Sequence, residues 1–183
     1  MAILFVCTGN ASRSVMAEWM LRELAPGWEV ASAGTHSIEG QPMSWRTREA
    51  MGRLGYRADR HRSRQAGPDE LDKADLVAVF ERFQLEWVRR EHPVVAPRTA
   101  SLHRLAHSLP PPGRDGGERP VAGAVAGDLR ARVASLGVER APWQPEEEVV
   151  DPGGGEVDGY AACAVEVLAL VTALAPRLGP PPR

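Results

Sequence analysis

Two short, almost wholly apolar runs, residues 2–6 ("AILFV") and 75–80 ("DLVAVF"), give way within a few residues to stretches of helical character. Runs of this length suit strands buried on both faces, and such strands belong to parallel sheets covered by helices. Residues 28–33 alternate as another strand, closed by Gly34, and "RTASL" at 98–102 reads as a short fourth. Residues 14–24, 43–54 and 82–91 read as helices, and 157–174 as a long apolar helix ended by Pro176. Strands alternating with helices imply one α/β domain with a four-stranded parallel sheet and right-handed crossovers. The length of 183 residues suits a single core. In such sheets ligands bind beyond the carboxyl ends of the strands.

Residues 109–147 break the alternation. "LPPPGRDGGERP" is turn-rich, and "EEE" at 146–148 is a charge run at the far end. Between them Val121, Val125, Leu129, Val133 and Leu136 recur at helical spacing, which predicts an amphipathic helix inserted before the "DP" at 151–152. Because the insertion runs directly into that dipeptide, it is expected near the ligand pocket.

Composition narrows the function classes. Twenty-two basic against 24 acidic residues leave a net charge of −2, with no bulk attraction to nucleic acid or to an anionic membrane. The basic stretch 57–64, "RADRHRSR", is interrupted by Asp59 and carries no aromatic residue, so it reads as a solvated loop. The five histidines show no metal-ligand spacing, and no metal or other cofactor is expected. Two cysteines make no disulfide framework and fit a reducing, cytoplasmic setting. Residues 161–174 are interrupted by Glu166 and read as too short to span a bilayer. Cys163, among Ala161, Ala164 and Val167, is expected in the core.

The other cysteine is placed differently. In "VCTGNASRS", Cys7 follows the first apolar run, and Thr8, Gly9, Asn10, Ala11 and Ser12 separate it from Arg13 and Ser14 at the start of a helix. A loop curling across a helix N-terminus turns unpaired N–H groups inward, forming a nest for a tetrahedral oxyanion. Gly9 can take positive φ without strain, and Asn10 is the next most tolerant residue. The helix dipole and the Arg13 guanidinium both favour thiolate over thiol, so Cys7 is expected to be nucleophilic at neutral pH. Ser14 can donate to the same sulfur, and the planar fork of Arg13 matches two phosphate oxygens. Attack on phosphorus would expel a poor leaving group and calls for an acid. Asp151, on the Gly-rich stretch "DPGGGEVDGY", is the candidate, with Glu146, Glu147 and Glu148 close by to favour its acid form.

"CTGNASRS" together with the distant "DP" resembles the low-molecular-weight protein tyrosine phosphatases. The likeness continues through "MAEWMLREL", "SAGTHSIEGQPM", "HRSR", "ADLVAVFERFQ" and "DPGGGEVDGYAACAVEV". It implies a Rossmann-like sheet and a cytoplasmic, metal-free phosphomonoesterase acting through a cysteinyl-phosphate. Cys7 would be the nucleophile and Arg13 the phosphate ligand, with Asn10 and Ser14 shaping the loop. Asp151 would be general acid and then base. The substrate implied first is a phosphotyrosine protein, followed by phosphoarginine or a small phosphoester. Ser12 stands where many members carry a second cysteine. Val15 replaces a frequent proline, and Ala11 a larger aliphatic or a threonine. Aromatic walls usual in the family are missing: "THSIEG" offers only Ile38, and three glycines follow the Asp-Pro. Two other readings stand beside this one. An arsenate reductase would need more cysteines to relay oxidising equivalents, and a binding module without catalysis would not need both Cys7 and Asp151.

Overall fold

A computed structural model of the chain describes residues 2–113 and 122–181. Four strands, β1 (Ala2–Cys7), β2 (Glu29–Gly34), β3 (Ala74–Val79) and β4 (Thr99–Ser101), form one parallel sheet in the order β2-β1-β3-β4. Alternate side chains of β1 feed two cores, as a pleated strand dictates. Ile3, Phe5 and Cys7 pack with α1 (Arg13–Leu24), α2 (Trp45–Arg53), α5 (Leu102–Ser108), α6 (Ala122–Ser135) and α7 (Val157–Leu178). Leu4 and Val6 face the other side, where α3 (Pro68–Lys73) and α4 (Arg82–Glu91) contribute Leu71, Leu85 and Val88. Strand order reverses beside β1, so Cys7 ends the strand at the switch point, where a crevice opens in doubly wound sheets.

Apart from the last helix, which runs four residues past its predicted end, the expected strands and helices form within one or two residues of their predicted ends, and the four-stranded parallel α/β architecture is as expected. Two short helices, α3 and α5, lie where no element was predicted. At six and seven residues, neither is long enough to display a periodic apolar face.

Pro176 does not end the last helix; α7 continues to Leu178. A proline in the final turn removes one donor, but the carbonyls beyond it find partners. The Arg132 guanidinium donates to the oxygens of Arg177 (2.6 Å), Leu178 (3.3 Å) and Pro110 (2.9 Å). At 22 residues with a mean hydropathy of 1.7, α7 is long and apolar enough to cross a membrane, contrary to the reading of residues 161–174 as too short. In this fold, however, Cys163, Ala164, Val167, Leu170, Val171, Leu174 and Leu178 form its buried face, as in the core helix of a globular domain.

The predicted inserted helix exists as α6. Leu129 and Val133 are buried on it, while Val121 and most of the preceding turn-rich stretch lie outside the described residues. Its position corrects the expectation that it flanks the pocket. Arg130 reaches Asp75 Oδ1 at 2.5 Å, and Asp75 Oδ2 accepts from the Ala2 N–H at 3.0 Å. Those contacts sit at the amino ends of β1 and β3, the length of a six-residue strand (roughly 16 Å) from Cys7. A one-residue register shift at Asp75 frees its carboxylate for both partners.

Candidate active site

The loop from Cys7 to Arg13 passes straight from β1 into α1. Ser12 occupies the N-cap position but makes no side-chain cap, and no acidic residue stands in the first turn of α1. Among the described residues, the N–H groups of Gly9, Asn10, Ala11 and Ser12 find no acceptor. Unpaired amides at a helix N-terminus carry the positive end of its dipole, and here they belong to the stretch directly after the thiol. Cys7 Sγ lies 3.0 Å from Ser14 Oγ, and Ser14 is completely buried.

Positive φ in this loop belongs to Asn10 (φ 49°), not to Gly9, whose backbone shows none. The reason is what the asparagine side chain holds. Its Nδ2 donates to Ser14 Oγ (2.9 Å) and Ser32 Oγ (2.8 Å), and its Oδ1 accepts from the Arg64 N–H (2.9 Å). Its carbonyl is paired with His61 Nε2 (2.9 Å) and accepts from Ser63 Oγ (2.7 Å). Burial keeps the His61 pKa below its ordinary value, against the effect of that bond. Five partners therefore repay the unfavourable backbone conformation. Beyond Asn10, Thr47 Oγ1 donates to the Ala11 carbonyl (2.8 Å) from the first turn of α2, whose N-cap is Ser44.

Gly34 closes the loop from below. β2 ends opposite Cys7, and the chain runs on with the N–H groups of Thr35 and His36 donating to the carbonyls of Cys7 and Thr8, each at 2.9 Å. A Cβ at residue 34 would lie 2.5 Å from Thr8 O and 2.9 Å from Asn10 N. Only glycine lets the loop come this near.

Arg13 is 1% exposed, and its guanidinium is tied to two segments. One terminal nitrogen meets Glu81 Oε2 (2.9 Å) and the Val149 carbonyl (3.1 Å); the other meets Asp151 Oδ2 (2.9 Å). Burial opposes its charge, but the Glu81 hydrogen bond and the negative charge of Cys7, Glu81 and Asp151 more than offset this and raise the Arg13 pKa. Arg13 Nε is buried without a hydrogen-bond partner. Burial likewise pushes the Glu81 carboxyl up, but bonds from Arg13, Thr8 Oγ1 (2.7 Å) and Gln84 Nε2 (2.8 Å) outweigh it and hold it below the usual carboxylate range. Glu81 thus links the first loop residue to the arginine.

The fold brings Cys7, the whole stretch Thr8–Ser14 and Asp151 together, although Asp151 lies more than a hundred residues away in sequence. It does not gather the acidic run around Asp151. Glu147 is buried on Arg104 and Ser101, and Glu148 Oε2 accepts from the Arg82 N–H at 3.4 Å. Sequence reasoning gave no site role to Glu81, Gly34, Ser32, Thr47 or His61, although all but Thr47 lie in stretches that carried the resemblance. Cys163 is in the core as expected, and burial pushes its thiol up to about 12.

A doubly wound parallel sheet with a buried arginine and free amides gathered above the thiol that ends its first strand defines a class of α/β phosphate-handling proteins. The family model described as low molecular weight phosphotyrosine protein phosphatase matches residues 2–108. The chain belongs to that family and is a hydrolase. It is 36% identical over 103 residues to a probable low molecular weight protein-tyrosine-phosphatase, EpsP, of Ralstonia nicotianae, covering 56% of this chain and 69% of the relative. It is 28% identical over 177 residues to a protein-arginine-phosphatase of Geobacillus stearothermophilus, covering 96% and 95%. Among solved structures, the YwlE arginine phosphatase of Geobacillus stearothermophilus superposes with a TM-score of 0.70 at 26% identity, covering 95% of this chain and 90% of that one. The tyrosine phosphatase Wzb of Escherichia coli, in complex with sulphate, gives 0.73 at 20% identity, covering 97% and 98%, a likeness of fold.

Proposed function

We propose that this protein hydrolyses phosphomonoesters through a phosphocysteine at Cys7, with the phosphotyrosine side chain of a protein as its substrate. The observation that carries the reading is Arg13: a buried guanidinium with an unpartnered Nε, beside four free loop amides and a thiol. A buried unpaired donor costs about 1–3 kcal/mol, and a phosphate oxygen is the acceptor this one lacks. A dianion bound here would accept from the loop N–H groups and from the Arg13 fork, which Glu81 and Val149 hold in place.

The chemistry follows from that placement. Cys7 Sγ donates an electron pair to phosphorus as the ester P–O bond breaks, and the departing oxygen takes a proton from the Asp151 carboxyl. Asp151 Oδ2 sits 2.9 Å from a terminal nitrogen of Arg13, which places its carboxyl beside the residue that would hold the phosphate. Its Oδ1 is steadied by the Gly153 N–H at 3.0 Å. The Asp151 carboxylate then takes a proton from water as that water attacks phosphorus, and the P–S bond breaks. Ser14 Oγ stabilises the sulfur anion as it leaves. A cytoplasmic location belongs to the same reading and draws support from two cysteines that are free and unbridged.

A second substrate class, phosphoarginine, is favoured by one observation: likeness to the Geobacillus arginine phosphatase extends over nearly the whole chain. Arsenate reduction is not supported. Arsenate reductases of Staphylococcus are among the relatives, but the second thiol here is buried in the core and held protonated by that burial. Turnover of p-nitrophenyl phosphate that disappears in Cys7→Ser tests the chemistry. Comparing kcat/KM on phosphotyrosine and phosphoarginine peptides decides the substrate. An inactive wild type between about pH 5 and 7 would favour a binding module.

A further inference from the structure

Seven large apolar side chains are exposed among the described residues, and four of them, Ile38, Trp45, Phe83 and Val150, stand on segments that clasp the phosphate loop. Trp45 follows the Ser44 cap of the helix holding Ala11, and its ring is covered by the Arg46 guanidinium at 4.9 Å. Val150 lies between Val149, which accepts from Arg13, and Asp151. Phe83 and His36 differ from these in facing one another. Their rings are 5.7 Å apart and inclined by 33°, within the range of favourable aromatic pairs.

Both segments bearing these rings are fixed to Thr8. His36 donates its N–H to the Thr8 carbonyl, while Thr8 Oγ1 donates to Glu81, two residues before Phe83. The pair is therefore held at the lip of the loop, above the first residue after the nucleophile. Phe83 is 45% exposed on the first turn of α4, so its ring is open to another apolar face.

We propose that Phe83, supported by His36, is the wall against which the aromatic ring of the substrate packs. The proposal rests on the phosphatase reading above and makes it specific to aryl phosphomonoesters. An aryl group on the loop-bound phosphate would extend past Thr8 and lie along the Phe83 face, while phosphate alone would never touch it.

Titration calorimetry on Cys7→Ser tests this with two probes, benzylphosphonate and inorganic phosphate. Adding Phe83→Ala should weaken benzylphosphonate roughly 3- to 10-fold and leave phosphate unchanged, and Phe83→Tyr should restore the benzylphosphonate affinity. In the otherwise native enzyme, Phe83→Ala should raise KM for a phosphotyrosine peptide with little change in kcat. Benzylphosphonate binding unaltered by Phe83→Ala, or both probes weakened alike, would overturn the proposal while leaving the phosphatase reading intact. Failure of Cys7→Ser to bind either probe would instead count against that reading.

Discussion

Gly34→Ala introduces one methyl group at the place where the sheet and the phosphate loop come nearest. The new Cβ would stand 2.5 Å from Thr8 O, 2.9 Å from Asn10 N and 3.1 Å from Gly9 C. All three are backbone atoms, so no side chain can rotate away. Ordinary contact begins near 3.4 Å, so Thr8 O or residue 34 must retreat by about 0.9 Å. Residue 34 is pinned by bonds to Arg64 O (2.9 Å) and from the Ala66 N–H (2.7 Å), so much of the movement falls on the loop. Overpacking of this kind costs about 1–3 kcal/mol, and a shift near 1 Å in a catalytic constellation lowers the rate about 100-fold. The expected outcome is a folded protein, several degrees less stable, whose kcat/KM on p-nitrophenyl phosphate falls by about two orders of magnitude. Gly52→Ala is the matched control, since its Cβ meets open space on α2, and it should leave kcat/KM unchanged and stability equal or slightly higher. Turnover of Gly34→Ala within threefold of wild type would refute the idea that the loop depends on this contact.

Further outcomes can be checked alongside. Asp151→Asn should lower kcat/KM on a phosphotyrosine peptide about 100-fold or more, and lower it less on p-nitrophenyl phosphate, whose leaving group needs no proton. Burial pushes the Glu18 carboxyl up, against the Ser32 hydrogen bond and the charges of Arg22 and Arg64. The folded state therefore favours the protonated form, and this contribution to stability is full below the unfolded value of 4.5 and lost as pH rises through the raised one. Urea unfolding of Glu18→Gln relative to wild type should accordingly show a more favourable difference near pH 8 than near pH 4. Arg132→Ala leaves carbonyls of Arg177, Leu178 and Pro110 without their donor. It should lower stability by about 2–3 kcal/mol with kcat/KM unchanged, because α6 lies at the end of the sheet away from Cys7.

Much of the site was legible because it is local. Residues 7–14 form one continuous strand-to-helix junction, and its chemistry depends on residue order alone: thiol, short polar loop, arginine, serine. The strands were legible for a similar reason, since continuous apolar runs tell of burial on both faces. Asp151 was visible as a candidate only because a thiolate mechanism demands an acid, which is a chemical requirement more than a pattern. Two local features were decided at a distance. Of the two loop residues able to take positive φ, Asn10 takes it, bonded to Ser32, His61, Ser63 and Arg64 as well as nearby Ser14, and α7 runs through Pro176 to an end whose carbonyls Arg132 satisfies.

What the sequence by itself determined is the loop from Cys7 to Ser14 and the parallel α/β framework that carries it. Tertiary structure alone decided what holds that loop: Glu81 on Arg13, Gly34 beneath Thr8, Ser32 and His61 on Asn10, Thr47 on Ala11. It also decided that the inserted helix caps the far end of α7, and that Phe83 and His36 meet at the rim. The physical reason is separation along the chain. Helical and strand periodicity registers which face of an element is buried, but nothing in it says which residue, dozens of positions away, will stand opposite.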